Sequence, residues 1–322
     1  MRRVRKAFSL IEVIFVLVIL GVVASISSSI IAQVYENYII QKALYNVTTK
    51  TELVANQIVN RLAYRIQGTT IAKDSTKTGV IEGTDWIQLK DIPKLDNNFT
   101  TIEWIGYDND SFSAGGTPYW SGVANYESAD RTSFDTPAST LTTVATIMST
   151  LSKGSDGVSK VTLTQSKPAA VIFSQENNYY KTDSSDVLEN QYNPRCMGLI
   201  DSNTSCIFPV FQNSDTNLTF VDDKPIVVTE RYKLAWSAYA LVPEDLDNDG
   251  LYDLFLYYNY QPWNGENYDD SAVEANRKLL MTNVSVFKFT ENGGVIQFKL
   301  CASENIGQDF NISTCKEKAI IR

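Results

Sequence analysis

The stretch Asp245-Leu246-Asp247-Asn248-Asp249-Gly250-Leu251-Tyr252-Asp253 places carboxylates at its first, third, fifth and ninth positions and a glycine at its sixth. Hard oxygen donors at that spacing suit a divalent cation, and the glycine permits the sharp turn that brings them together. On this reading Asp245, Asp247, Asp249 and Asp253 offer side-chain ligands to calcium, and Leu251 offers its carbonyl. The twelfth position is Leu256, so the bidentate glutamate of a complete EF-hand loop is missing. The residues that follow read as a strand and not as an exiting helix. A loop between two β elements is therefore expected, with weak affinity of the extracellular kind, near about 10⁻⁴ M. The competing reading is a solvated acidic turn that holds no ion.

Other chemistry is limited by what the chain lacks. There is no histidine in its 322 residues. Nucleophilic catalysis of the Ser-His-Asp or Cys-His kind is excluded, together with the commonest general base and most zinc sites. No spacing of carboxylates singles out an acid and a base, so the chain is not read as an enzyme. The formal net charge of −9 argues against general nucleic-acid binding, which needs Lys and Arg against phosphates. Four cysteines fall into two close pairs, Cys196 with Cys206 and Cys301 with Cys315. Local disulfides are the preferred reading, although four cysteines allow three connectivities.

Four Asn-x-Ser/Thr sequons, at Asn98, Asn203, Asn217 and Asn311, have an aspartate two residues earlier. That extended acceptor is similar to the one used in bacterial periplasmic N-glycosylation, and all four lie in expected loops. A composition rich in Asp, Asn, Ser and Thr is the alternative source of the pattern.

Most of this chemistry depends on which side of a membrane the body faces, and residues 7–32 decide that. From Val13 to Ala32 there is neither a charge nor a proline, a length that lets a helix cross a hydrocarbon core of about 30 Å. Arg2, Arg3, Arg5 and Lys6 precede it, a flank that stays cytoplasmic and sends the C-terminal bulk outward. A cleaved secretory signal is disfavoured, because the apolar run is too long and the helical pattern continues beyond it. Glu12 is the single charge inside this stretch. A carboxylate in lipid is costly, which makes it a functional candidate unless it lies near enough to the headgroups to snorkel.

The string Lys6-Ala7-Phe8-Ser9-Leu10-Ile11-Glu12 resembles the processing and methylation site of type IV pilin-like proteins, among them type II secretion pseudopilins and the minor pilins of DNA-uptake machines. The resemblance implies cleavage by a prepilin peptidase between Ala7 and Phe8, followed by N-methylation of Phe8. Ala7 departs from the glycine usual in the family. The same resemblance implies that Glu12 pairs with the amino group of Phe8 on a neighbouring subunit and sets axial register in a filament. It further implies other pilin or pseudopilin subunits as partners and the bacterial inner membrane as the site of insertion, with the C-terminal body in the periplasm. The expected function is a minor pilin or pseudopilin of a secretion, pilus or DNA-uptake filament. The alternative is a single-pass, membrane-anchored adhesin or binding protein that never enters one.

These features need elements to position them. Apolar residues at three and four spacing from Val34 to Ile66 extend the membrane helix into an amphipathic half, about 88 Å in all from Phe8. Gly68–Lys77 reads as a polar, turn-rich stretch that ends the helix and contacts partner subunits or cargo. Strands are expected at Val80–Leu89, Thr100–Tyr107 and Ala169–Ser174, and a helix opened by Thr136-Pro137 runs to Leu151. Asp108–Phe134 and Gln175–Pro194 read as loops. From Leu218 the pattern is strongly β: Leu218–Val221, Ile226–Ala240, Leu254–Tyr260, Leu279–Thr290, Val295–Ala302 and Lys318–Ile321, with a hairpin turn at Glu291-Asn292-Gly293-Gly294. The expected fold is α+β: a leader over residues 1–7, a long helix over 8–66 with its transmembrane part at 8–32, and a body over 67–322 built on an antiparallel sheet with large loops.

Overall fold

The computed structural model describes residues 9–77, 83–92, 98–173, 180–182, 188–190, 207–221, 228–269, 276–306 and 311–321. One helix, α1 (Leu10–Leu62), dominates it. No proline interrupts those 53 residues, and Arg61 and Arg65 stand at the C-terminal end, where cations complement the helix dipole. Arg65 closes the end physically. Its guanidinium donates to the Leu62 carbonyl at 3.1 Å and to Gly294 O at 3.0 Å. Residues 9–38 are exposed throughout, whereas Ala43, Val47, Val54, Ala55, Ile58 and Leu62 form a buried stripe.

Fifteen strands are described: β1 (Ile71–Asp74), β2 (Trp86–Gln88), β3 (Phe99–Gly106), β4 (Ser133–Asp135), β5 (Ala169–Phe173), β6 (Tyr180–Thr182), β7 (Leu188–Asn190), β8 (Phe208–Ser214), β9 (Asn217–Phe220), β10 (Tyr232–Ala235), β11 (Ser237–Glu244), β12 (Tyr252–Tyr260), β13 (Asn276–Asn292), β14 (Val295–Asn305) and β15 (Asn311–Ile321). Eight of them make one antiparallel sheet in the order β15-β14-β13-β12-β11-β3-β1-β2, and five make a second in the order β10-β5-β8-β9-β4. The expected α+β fold is present. A long apolar helix lies on antiparallel sheet.

Period-two alternation sorts the side chains into layers. In β3, Ile102 and Trp104 face the helix, where they join Ile58, Leu62, Leu254, Val284 and Leu300 in one core. Ile105 faces the other way and meets Ile172 of β5, Ala238 and Ala240 of β11, and Tyr260 of β12 in a core between the sheets. The outer face of the second sheet carries Val171 and Phe173 against α3 (Leu141–Leu151), with Phe134, Trp120 and Tyr232 alongside. The order through the molecule is helix, eight-stranded sheet, five-stranded sheet, helix. Trp236, between β10 and β11, marks the point where the chain leaves one sheet for the other.

Several expectations are corrected. Gly68–Lys77 is not a contact loop, because it contains β1, whose four residues are all buried beside β3. Ile226–Ala240 is two strands in different sheets and not one. Thr136 does not cap α3. Its hydroxyl instead shares hydrogen bonds with Tyr232 at 2.6 Å and Ser139 at 2.8 Å, Ala138 takes a φ of 59°, and the helix begins only at Leu141. The stretch read as loop over 108–134 holds α2 (Asn109–Ser113) and the start of β4, and that over 175–194 holds the β6–β7 hairpin. β8 was not expected at all.

Asp108 shows why the first of those stretches is ordered. Its backbone N–H donates to Leu234 O of the second sheet at 2.6 Å, and the Trp120 indole donates to its carbonyl at 3.0 Å. Its carboxylate accepts from Ser111 N at 3.0 Å, capping α2. Burial pushes that carboxyl up to about 7, against the opposing bond from Ser111.

Candidate functional site

Two places carry the chemistry read from the sequence: the exposed start of α1 and the loop joining β11 to β12. In the first, Ser9 occupies the N-cap position in extended backbone, and its carbonyl accepts from Glu12 N at 3.0 Å and Val13 N at 3.3 Å. Glu12 therefore lies in the first turn, where the helix dipole favours an anion. Behind it runs an apolar window of mean hydropathy 2.8 with none of its residues buried. Such a surface is stable only in a nonaqueous setting or against other helices, so this segment is suited to act as a single membrane anchor. Ala7 and Phe8, the expected cleavage pair, lie outside the described residues.

The other half of α1 is fastened to the body through its last strand. Glu52 receives Lys318 Nζ at 2.6 Å and Lys316 Nζ at 3.2 Å, both from β15. Hydrogen bonds from Lys318 and Lys316 hold its carboxyl below the ordinary range. Thr48 and Thr314 share a hydrogen bond at 3.3 Å one helical turn away. The same strand is tied to β14 by a disulfide between Cys301 and Cys315, which stand directly opposite in register with Cα atoms 4.0 Å apart. That local pairing agrees with the sequence expectation. Cys196 and Cys206 lie outside the described residues.

The acidic loop lies between two β-strands, the setting read from the sequence. β11 ends at Glu244 and β12 starts at Tyr252, so the loop spans a hairpin end of the larger sheet. Asn248 and Gly250 adopt φ of 57° and 82°, conformations open to asparagine and glycine but strained for most residues. This reversal brings carboxylate oxygens of Asp245, Asp247 and Asp249 within 4.8 Å of one another. Asp245 Oδ2 accepts from Gly250 N at 3.3 Å and Asp249 Oδ1 from Leu251 N at 2.8 Å. Asp245 Oδ1 is shielded from solvent with no hydrogen-bond partner among the described residues. Asp253 stands in β12 opposite Glu244 and outside that triad, and Leu251 links the two.

At the loop's base, Glu244 is engaged. It meets Arg277 at 3.0 Å and accepts from the Tyr257 hydroxyl at 2.6 Å. Burial, with Glu244 beside it, pushes that phenol up to about 12. The Arg277 guanidinium lies 3.5 Å from the centre of the Phe255 ring, which completes the brace. Sequence reading missed this brace, because its members come from three strands and nothing in their spacing relates them.

Of the sequon asparagines, Asn98 and Asn311 are exposed at the starts of β3 and β15. Asn217 opens β9, and its amide donates to Asp135 Oδ1 at 2.8 Å. Asn311 and Asn217 thus sit at strand ends and not in free loops. Asn203 lies outside the described residues.

Comparison with known proteins bears on the first of these places. No curated protein and no solved structure matches the chain. A family model described as the prokaryotic N-terminal methylation motif matches residues 2–28, the segment that contains the basic flank, Phe8, Glu12 and the exposed apolar start of α1. The N-terminal segment of this chain is the prepilin signal of type IV pilin-like proteins.

Proposed function

We propose that this chain is a minor pilin or pseudopilin subunit of a type II secretion, type IV pilus or DNA-uptake filament. A prepilin peptidase cleaves it before Phe8, the inner membrane stores it, and assembly transfers the exposed half of α1 from lipid to neighbouring subunits. One observation carries this reading: a methylation motif opens a helix that runs without interruption from a wholly exposed apolar half into the core of a folded body. The Cys301–Cys315 disulfide supports a body that matures in an oxidising compartment. Its two-sheet size suits a low-copy position better than a close-packed major subunit.

Glu12 is the test. Glu12→Leu is expected to abolish recovery of the chain in sheared filaments, while the membrane-bound protein keeps its disulfide and its melting temperature. If the variant chain is recovered in filaments at the wild-type level, the filament reading fails. A membrane-anchored adhesin, the competing reading, would stay at the membrane with either residue.

The loop over Asp245, Asp247, Asp249, Leu251 and Asp253 is proposed to bind calcium and to stiffen the β11–β12 end in the periplasm. The convergence of three carboxylates and the unsatisfied Asp245 Oδ1 support it. Titration of the full chain in detergent is expected to show binding near about 10⁻⁴ M, lost in Asp247→Ala. Absence of heat and of thermal stabilisation at millimolar calcium would remove the site.

A further inference from the structure

Between the two sheets lies a charged group that none of the preceding chemistry uses. Lys73 of β1 is 2% exposed, and its Nζ lies 3.4 Å from Asp269 Oδ2, in the turn that follows β12. The ammonium also sits 4.8 Å from the centre of the Tyr268 ring. Register aligns Lys73 with Thr101 and Ile71 with Glu103, so Lys73 and Glu103 are diagonal neighbours on the inner face of adjacent strands. Glu103 is fully buried. It accepts from the Tyr260 hydroxyl at 2.8 Å through Oε1, and its Oε2 has no partner among the described residues.

As a purely structural ion pair this arrangement is poor. Lys73 and Asp269 balance each other, which leaves Glu103 as a second carboxyl with no cation of its own among the described residues, in a core lined by Trp86, Tyr260 and Tyr268. Burial raises the Glu103 carboxyl, with Lys73 opposing, so it sits nearer to holding a proton than an ordinary glutamate. A dry amine, a carboxyl at contact distance and a neighbouring group able to carry a proton are the requirements for amide formation. The amine is sealed at 2% exposure, whereas the Asp269 side chain keeps 30% of its surface, an opening through which the released water can leave.

We infer that Lys73 and Asp269 condense after folding to form an intramolecular isopeptide bond, with Glu103 carrying the protons. In the step, Lys73 passes one proton to Glu103 and the freed amine adds to Cγ of Asp269, whose carboxyl is protonated from the same ammonium through Glu103. The tetrahedral adduct loses its hydroxyl together with a second amine proton, again relayed by Glu103. The new bond is Nζ–Cγ and the broken bond is Cγ–O. The ammonium and carboxylate become one amide and one water, Glu103 is restored, and no oxidant or other reactant takes part. The product ties the connection after β12 to a strand 196 positions earlier in the chain.

Peptide mapping by tandem mass spectrometry of the purified full chain tests this. The expected result is a branched peptide joining Lys73 to Asp269, one water lighter than its two parts. Lys73→Arg and Asp269→Ala should each lose it completely. Asp269→Asn should yield the same branched product by losing ammonia. Glu103→Gln keeps both reacting groups and should lose the link, with circular dichroism and the Cys301–Cys315 disulfide reporting that the body is folded. Recovery of Lys73 and Asp269 only in unlinked wild-type peptides would overturn the bond. An undiminished link in Glu103→Gln would overturn the role of Glu103. Because the readout is a covalent mass, it stands or falls separately from any failure of filament assembly.

Discussion

The two halves of α1 are one helix by backbone and two different objects by surroundings. Over residues 9–38 every residue is exposed and the surface is mostly apolar; over residues 43–62 a stripe of Ala43, Val47, Val54, Ala55, Ile58 and Leu62 is sealed against sheet. No proline or glycine pair marks the change. The difference teaches that the helix does not need a joint to serve two solvents. Its outer half is held by what lies beside it, and its inner half is left for lipid or other subunits to cover.

That comparison can be broken or sharpened by substitution. Leu62→Ala in the sealed half should cost the body about 2–5 kcal/mol in denaturant unfolding, whereas Val18→Ala in the exposed half should leave the body's midpoint unchanged. Equal effects would mean that the halves are not energetically separate. Removing the Cys301–Cys315 bond with Cys301→Ser should cost about 2–4 kcal/mol, because it frees the strand to which the sealed half is fastened.

A pH series probes the junction between the sheets. The Asp108 carboxyl is raised in the folded state from 3.8 to about 7, so the native chain binds the proton more tightly than the unfolded chain. This contribution to stability is present in full below about pH 4 and is lost as pH rises through about 7, by at most about 1.4 kcal/mol per pH unit. Asp108→Asn should flatten that slope in thermal melts across the range.

The smallest effect belongs to Glu52. Its carboxyl is lowered by Lys318 and Lys316, so the clamp contributes above the usual glutamate range and fades as pH falls through the depressed value. Glu52→Gln should lower the melting temperature slightly at low salt and hardly at all in concentrated salt. A large effect would make the clamp, and not the buried stripe, the main attachment of the helix.

What was legible in the sequence follows the range of the forces involved. α1 was readable to within a few residues of each end, because its hydropathy and spacing are local properties. So was the β13–β14 hairpin, whose Gly293 and Gly294 adopt φ of 58° and 80° as a tight two-residue turn demands. The turn after β11 was readable for the same reason, down to Gly250 and its φ of 82°, whereas the place of Asp253 outside the carboxylate cluster was not. β1 was not. Its sequence, Ile71-Ala72-Lys73-Asp74, carries two charges and sits among threonines and turn residues, and only its place between β3 and β2 buries it. The division of Ile226–Ala240 into two sheets was equally hidden, since both strands are apolar and the break at Trp236 depends on which partner each finds. The Lys73, Glu103 and Asp269 group could not be seen before the register of β1 against β3 was known.

The attachment of β15 to α1 has a consequence for how the molecule comes into being. Thr48 and Thr314, and likewise Glu52 and Lys318, meet across 266 positions of chain. A ribosome makes the helix first and the strand that grips it very late. The outer turns of the helix must therefore remain without their closing partner through most of translation, and contacts so distant in sequence are slow to form. Until then the half-made chain offers β14 as an unpaired edge and a bare helical stripe, the surfaces on which newborn chains misassociate. A chain built this way gains from an exposed apolar start able to hold it singly in a bilayer while it is being finished.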